Sequence, residues 1–109
     1  MTWIVETLDK RVDREIGKLP KDIQADLIHV VELVEAHGPA AVGMPHVRHV
    51  DGKLWELRAR GKSGHGRGLY VVVRSKRIVI LTAFHKKTGT TPRQMIELAT
   101  ARGKEAKLL

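Results

Sequence analysis

The sequence contains no cysteine, and its aromatic residues are two tryptophans, one tyrosine and one phenylalanine. The lack of cysteine excludes disulfides and thiolate chemistry, and it favours a reducing, cytoplasmic location. No apolar run reaches the roughly 20 residues that span a bilayer, and the N-terminal residues lack the apolar core of a signal peptide. We therefore expect a cytoplasmic protein without a membrane partner, with Trp55 and Phe84 in its core.

Acidic residues are scarce in the second half of the chain. After Glu56 only Glu97 and Glu105 follow, and the whole chain has 12 Asp and Glu against 20 Lys and Arg, a net charge of +8. A positive field of this kind attracts phosphate backbones and makes such binding salt-dependent. Because the charges are segregated along the chain, the sequence favours a dedicated anion-binding face over a uniformly basic surface.

A length of 109 residues fits one domain, residues 1–109, with a modest core. Hydrophobic periodicity and turn residues predict the elements along it. In chain order they are a strand over residues 2–8, helices over 9–19 and 20–37, a loop over 39–46, strands over 47–50 and 53–60, a glycine-rich basic loop over 61–66, strands over 67–74 and 78–84, and a helix from Pro92. This order predicts an α+β fold in which an N-terminal strand and a helical hairpin pack on an antiparallel β-meander, followed by a C-terminal helix.

Local signals support two of the helix boundaries. Asp9 suits the N-cap of the first helix, and Thr91 suits that of the last, with Gln94 completing a capping box. Alternation in the third strand places Trp55, Leu57 and Ala59 on one side, against the helices. We expect the helices to leave the other face of the sheet open to a ligand.

Several catalytic signatures are missing from the sequence. It has no Walker-type glycine loop, no His-Glu-x-x-His zinc motif and no serine nucleophile elbow. His46 and His49 are three residues apart, but no obvious set of further ligands accompanies them, and we interpret both as surface residues. We expect neither a metal nor a cofactor.

Basic residues instead concentrate on the predicted strands, where charge is costly unless an anion binds there. That makes a polyanion, RNA above all, the expected ligand. Arginines can stabilise the charged phosphorane that forms when a ribose 2′-OH attacks its neighbouring phosphate, and a histidine, tyrosine or lysine can transfer the protons. The candidate catalytic residues are Arg58, Arg60, Arg67, Tyr70, His85 and Lys87, and the candidate RNA contacts are Lys53, Lys62, Arg74, Lys86 and Arg93. Tyr70 lies in a valine-rich strand, which favours a packing role for it over a catalytic one.

The order of these motifs resembles that of RelE/ParE-type bacterial toxins, and most nearly their phage-derived, HigB-like branch. The resemblance spans most of the chain. The residues that carry it are Leu54-Trp55-Glu56-Leu57-Arg58, the segment Arg60-Gly61-Lys62-Ser63-Gly64, Arg67, Tyr70, and Phe84-x-Lys86-Lys87-x-x-x-Thr91-Pro92. One departure is that residues 88–109 contain no tyrosine, whereas some RelE-type enzymes use one there.

The resemblance implies a toxin of a type II toxin–antitoxin pair, with a RelE-like fold. RelE-like members cleave mRNA in the ribosomal A site and leave a cyclic phosphate. The implied partners are therefore the ribosome, mRNA and a cognate antitoxin of the helix-turn-helix type, with which the toxin forms a hetero-oligomer. In the family, basic residues of the central strands do this work, which suits Arg58, Arg60 and Arg67 here.

Two alternatives keep the same fold or the same basic surface. A ParE-like protein would poison DNA gyrase without catalysis, and a simple RNA-binding module would hold RNA without cutting it. The leading hypothesis remains a metal-independent, ribosome-dependent endoribonuclease.

Overall fold

The computed structural model describes residues 2–86 and 90–109, so the predicted catalytic residue Lys87 lies outside the described residues. The elements within these ranges are β1 (Ile4–Thr7), α1 (Lys10–Gly17), α2 (Lys21–His37), α3 (Pro39–Val42), β2 (Val47–Asp51), β3 (Leu54–Gly61), β4 (Gly64–Val72), β5 (Arg77–Lys86) and α4 (Arg93–Glu105). None of the helices in these two ranges combines the length and the hydropathy that crossing a membrane requires.

The described strands form one sheet in the order β1-β5-β4-β3-β2. β2 to β5 make an antiparallel meander, and β1 joins β5 in parallel at the far edge. The predicted α+β fold, with an N-terminal strand and helical hairpin on a meander and a C-terminal helix, is confirmed.

One face of the sheet is covered by α1 and α2. The first helix begins as predicted at Asp9, whose Oδ1 accepts a hydrogen bond from the Arg11 N–H at 2.9 Å. The buried stripe of α2 repeats every three to four residues, as the sequence predicts, and it meets alternate residues of the strands. The members of this layer are Val12, Leu19, Ile23, Leu27, Val30, Val34, Val47, Leu57, Ala59, Tyr70, Ile78 and Ile80.

The prediction of an open second face is wrong in part, because α4 covers some of that face. Ala99 is buried there against Leu54, Leu69, Val71, Val79 and Leu81. Strands that are apolar on both faces need a cover on both sides, and α4 supplies the second one. The C-terminal residues belong to this layer, with Leu108 and Leu109 packed against it.

The glycine-rich segment 61–66 is not a loop. β3 and β4 are joined by a tight turn at Lys62 and Ser63, with Gly61 paired to Gly64, so His65 and Gly66 lie within β4. A Cβ atom on Gly66 would lie 2.5 Å from Cγ2 of the buried Ile23. Glycine is therefore needed here because α2 packs closely on the strand. The predicted loop over 39–46 is also incorrect in part, because Pro39 opens the short helix α3.

Glu15 of α1 links three elements, because its contacts reach both β5 and α4. Its carboxylate accepts hydrogen bonds from the Thr82 hydroxyl (2.9 Å), the Ala83 N–H (3.1 Å) and the guanidinium of Arg102 on α4 (2.9 Å). Burial acts to raise the pKa of Glu15, but these hydrogen bonds outweigh it and hold the pKa below its ordinary value. A carboxyl whose pKa is lowered by folding stabilises the protein above its unfolded pKa, and this contribution disappears as the pH falls through the folded pKa.

The Glu15→Gln variant should therefore melt about 5 °C or more below wild type at pH 7, and this gap should close as the pH falls below about 4. Thermal unfolding between pH 2.5 and 7 measures both effects. Glu105→Gln is the matched control, because Glu105 is exposed and pairs with Arg11 at 3.6 Å. A gap of constant size across this pH range would contradict the assignment.

Candidate functional site

Basic side chains of β3 and β4 meet on the face that α4 partly covers. Arg58 is paired with Arg67 across the two strands, and Arg60 with His65. His65 is in turn paired with Lys86 of β5. Because paired residues of antiparallel strands point to the same face, two rows of basic groups lie side by side.

A cavity of about 80 Å³ opens at this end of the sheet. It lies where β3 extends past the start of β2, whose first residue, Val47, pairs with Leu57. The residues that line it are Asp26, Pro45, His46, Arg58, Ala59, Arg60, His65 and Arg67. Three arginines and two histidines around one opening are a composition that suits an anion.

Two carboxylates of α2 hold the main chain of this exposed edge. Asp26 Oδ2 accepts a hydrogen bond from the Arg60 N–H at 2.8 Å, and Asp22 Oδ2 accepts one from the Ser63 N–H at 2.8 Å. The bond from Ser63 is the main reason that the pKa of Asp22 lies below its ordinary value, so this carboxylate is ionised at neutral pH. Strand and turn are therefore fixed to the helix at the point where Arg60 projects.

Arg67 is the most enclosed of the three arginines, with 3% of its surface exposed. Its Nε lies 3.7 Å from Oε2 of Glu56, and the Nε of Arg58 lies 3.4 Å from the same oxygen. Burial is the main reason that the pKa of Arg67 is lowered; the charge of Arg58 adds to this effect and that of Glu56 opposes it. A guanidinium remains protonated in proteins, so Arg67 presents a fixed positive charge.

His65 is a member of the site that the sequence did not single out. Its ring lines the same cavity as the three arginines. Burial first, and then the charges of Arg67, Arg58 and Arg60, lower the pKa of His65 below 6.5. Its imidazole is therefore neutral at pH 7 and able to accept a proton. A two-residue turn at Lys62-Ser63 is the sequence signal that could have identified it, because such a turn pairs His65 with Arg60 across the two strands.

The predicted catalytic residues do not all come together. Arg58, Arg60 and Arg67 do, as described above. Tyr70 is buried against the helices on the opposite face, paired with Trp55, and burial raises its pKa well above the ordinary value. His85 pairs with Gly66, so it too lies on that opposite face, and its Nε2 is 2.7 Å from the Ser63 carbonyl oxygen.

The predicted RNA contacts divide between the two ends of the sheet. Lys86 extends the row of Arg60 and His65, and Lys62 occupies the turn beside it. Lys53 and Arg74 lie in turns at the other end of the strands. Arg93 begins α4 and is exposed, with its Nε 3.7 Å from Glu97 Oε2.

Thr91 does not cap α4 as predicted. The N-cap position is Pro92, which has no side-chain hydrogen bond, and the Pro92 carbonyl oxygen accepts a bond from the Met95 N–H at 3.0 Å. The Thr91 hydroxyl donates instead to Oε1 of Glu56. The start of α4 is thereby joined to the arginine cluster.

Comparison with known proteins identifies the fold and the family. The family model "Phage derived protein Gp49-like (DUF891)" matches residues 14–104. No curated protein sequence matches the chain. A double arginine-to-alanine mutant of E. coli toxin RelE in the free state has a TM-score of 0.62 at 17% identity, covering 94% of this chain and 98% of that chain. The archaeal RelE–RelB complex from Pyrococcus horikoshii OT3 gives 0.58 at 25% identity, covering 82% of this chain and 100% of that chain. Since the family model spans most of the sequence and both structures share its architecture, the chain belongs to the phage-derived Gp49-like family and has the RelE toxin fold.

Proposed function

We propose that this protein is the toxin of a type II toxin–antitoxin pair and that it cleaves mRNA on the ribosome. The observation that carries the proposal is the single cavity at which Arg58, Arg60, Arg67 and a neutral His65 converge. The RelE fold supports it as an analogy, because the fold alone does not determine the chemistry. The residues of the site, not the fold, decide what the protein does.

The arrangement suits cleavage by an internal nucleophile. His65 accepts the proton of a ribose 2′-OH, whose oxygen then attacks the neighbouring phosphorus. Arg58 and Arg67 stabilise the negative charge that develops on the non-bridging oxygens. The bond to the 5′-oxygen breaks, and Lys86, paired with His65, donates a proton to that oxygen. The products are a 2′,3′-cyclic phosphate and a free 5′-hydroxyl, and Arg60 holds an adjacent phosphate.

Mapping of mRNA 5′ ends in a translating extract tests this function. We expect breaks in phase with codons, carrying 5′-hydroxyl ends, only while ribosomes occupy the message. Intact mRNA together with DNA damage would favour a gyrase poison. Retention of RNA on the protein without any cut product would favour a binding module. Either result would reject the proposed reaction.

We propose that the antitoxin binds on the opposite face, in a groove of about 590 Å³ between α2 and β1. Its floor is apolar and includes Leu27, Val31 and Ile28, of which Ile28 is 60% exposed. Glu6, Glu32 and Glu35 line the same groove. Apolar surface with an acidic rim fits an amphipathic helix that carries basic residues beside its apolar stripe. The RelB partner in the archaeal complex supports an antitoxin for this chain as well.

The Ile28→Lys variant should weaken antitoxin binding by at least about tenfold, which corresponds to about 1.4 kcal/mol, because a charged group replaces an apolar anchor. Titration calorimetry with the co-expressed antitoxin measures this loss, and mRNA cleavage by the free toxin should stay at the wild-type level. His29→Lys is the matched control, since His29 is exposed on the same helix but does not line the groove. Equal loss in both variants would remove the groove from consideration.

A further inference from the structure

Glu56 is a carboxylate enclosed beneath the arginine cluster. It has 0% exposed surface and lies on β3 facing the same side as Arg58 and Arg67. A buried charge of this kind is costly unless it is paired and hydrogen-bonded. Oε1 accepts the Thr91 hydroxyl, whereas Oε2 has no hydrogen-bond partner among the described residues and lies within ion-pair distance of both arginines.

Both guanidiniums turn their Nε atoms toward Glu56. The Nε of Arg58 is 3.4 Å from Oε2 and that of Arg67 is 3.7 Å. An arginine drawn to a carboxylate on its Nε side keeps Nη2 for another anion, which suits phosphate binding. Nη1 of Arg67 donates to the Gly66 carbonyl oxygen at 3.2 Å, and Nη1 of Arg58 contacts Met44 Sδ at 3.8 Å. Among residues 2–86 and 90–109, neither arginine makes a hydrogen bond through Nη2, and the buried Nε of Arg58 likewise has no hydrogen-bond partner.

Glu56 also offsets repulsion between the two arginines. Arg58 and Arg67 stand directly opposite each other, and like charges at such positions destabilise a strand pair. A single carboxylate oxygen within 4 Å of both reduces that repulsion and leaves the cluster with a net positive charge for the substrate. The two arginines are thus kept close together on one side of the cavity.

Thr91 fixes the direction of the carboxylate. Its hydroxyl holds Oε1, which leaves Oε2 directed to the arginines. Thr91 directly precedes Pro92 and α4, and α4 is anchored by the buried Ala99. The carboxylate is therefore held from the body of the protein and does not depend on the arginines for its own orientation.

We infer that Glu56, held by Thr91, is the positioning residue that sets the geometry of Arg58 and Arg67 for the phosphate of the scissile bond. This inference rests on the proposed endonuclease function. Glu56 does not itself touch the RNA. Its loss should lower the rate of the chemical step, because the two arginines are then no longer held in position. RNA binding should not weaken, because removing a negative charge leaves the site more positive.

The test compares Glu56→Gln with Glu97→Gln. Both changes remove one negative charge, and Glu97 Oε2 also lies 3.7 Å from an arginine Nε, but on an exposed pair. In Glu56→Gln we expect single-turnover kcat to fall by up to about 10²-fold, with RNA affinity equal to or tighter than wild type. Glu97→Gln should keep the wild-type kcat. Equal kcat in the two variants would overturn the inference, and so would a loss that appears only as weaker RNA affinity.

A second readout is independent of activity. In ¹⁵N spectra of the whole protein, the Nε–H signals of Arg58 and Arg67 should be resolved and slow to exchange in wild type. They should exchange faster in Glu56→Gln and remain unchanged in Glu97→Gln. If wild type shows no cleavage, the proposed function fails, while these signals still decide whether Glu56 orders the arginines.

Thr91→Val covers the case in which Glu56→Gln does not fold. This variant keeps the carboxylate but removes the hydroxyl that directs it. A reduced kcat with wild-type RNA affinity and faster Nε–H exchange would support the inference. A Thr91→Val protein that folds and matches wild type in kcat and in both arginine signals would overturn it.

Discussion

Replacement of Arg67 by alanine is expected to lower mRNA cleavage by about 10²–10³-fold. Arg67 is 3% exposed and lines the cavity, so its charge acts in an environment with little water to screen it. Arg67→Lys should also lose most activity, because a lysine keeps the charge but not the planar pair of donors. Single-turnover cleavage in a translating extract measures the effect.

Arg14→Ala is the control for loss of one positive charge. Arg14 is exposed on α1, away from the cavity. Thermal unfolding of each variant separates a loss of chemistry from a loss of fold. Full cleavage by a folded Arg67→Ala protein would exclude the proposed site.

The His65→Asn variant is expected to cleave about 10²–10⁴-fold more slowly than wild type, the usual contribution of a general base. The pH dependence gives a sharper test. The base must be neutral, and burial and the three nearby arginines lower the pKa of His65 below 6.5. Wild-type activity should therefore be level from neutral pH down to below 6.5, and then fall as His65 gains a proton.

This acidic decline should disappear in His65→Asn. His85→Asn provides the comparison, because His85 lies on the other face of the sheet with its ring against the Ser63 carbonyl oxygen. Single-turnover rates between pH 4.5 and 8 distinguish the two histidines. An acidic decline that persists in His65→Asn but is absent from His85→Asn would instead identify His85 as the base, as the sequence predicts.

The arginine cluster could be predicted from the sequence because it depends on local rules. Alternation along β3 places Arg58 and Arg60 on one face, and a hairpin brings Arg67 beside them. The apolar stripe of α2 is likewise visible in its spacing. These features follow from strand and helix periods alone.

The proton-transfer residue could not be predicted in the same way. The face on which His85 or Tyr70 lies depends on the register between β4 and β5, which shifts between Leu69 and Tyr70. A change of one residue in register exchanges the two faces of a strand. Gly64 and Gly66 made the sequence resemble a loop, whereas the close packing of α2 on Gly66 is a long-range property.

The two aspartates of α2 also bear on self-association. An uncovered strand edge normally offers free N–H groups on which a strand from another molecule can pair, and this is a common start of aggregation. At the end of β3, Asp26 already occupies the N–H of Arg60, and Asp22 occupies that of Ser63 in the adjoining turn. These two backbone donors are thus closed to an incoming strand, while the side chain of Arg60 at the same edge stays exposed.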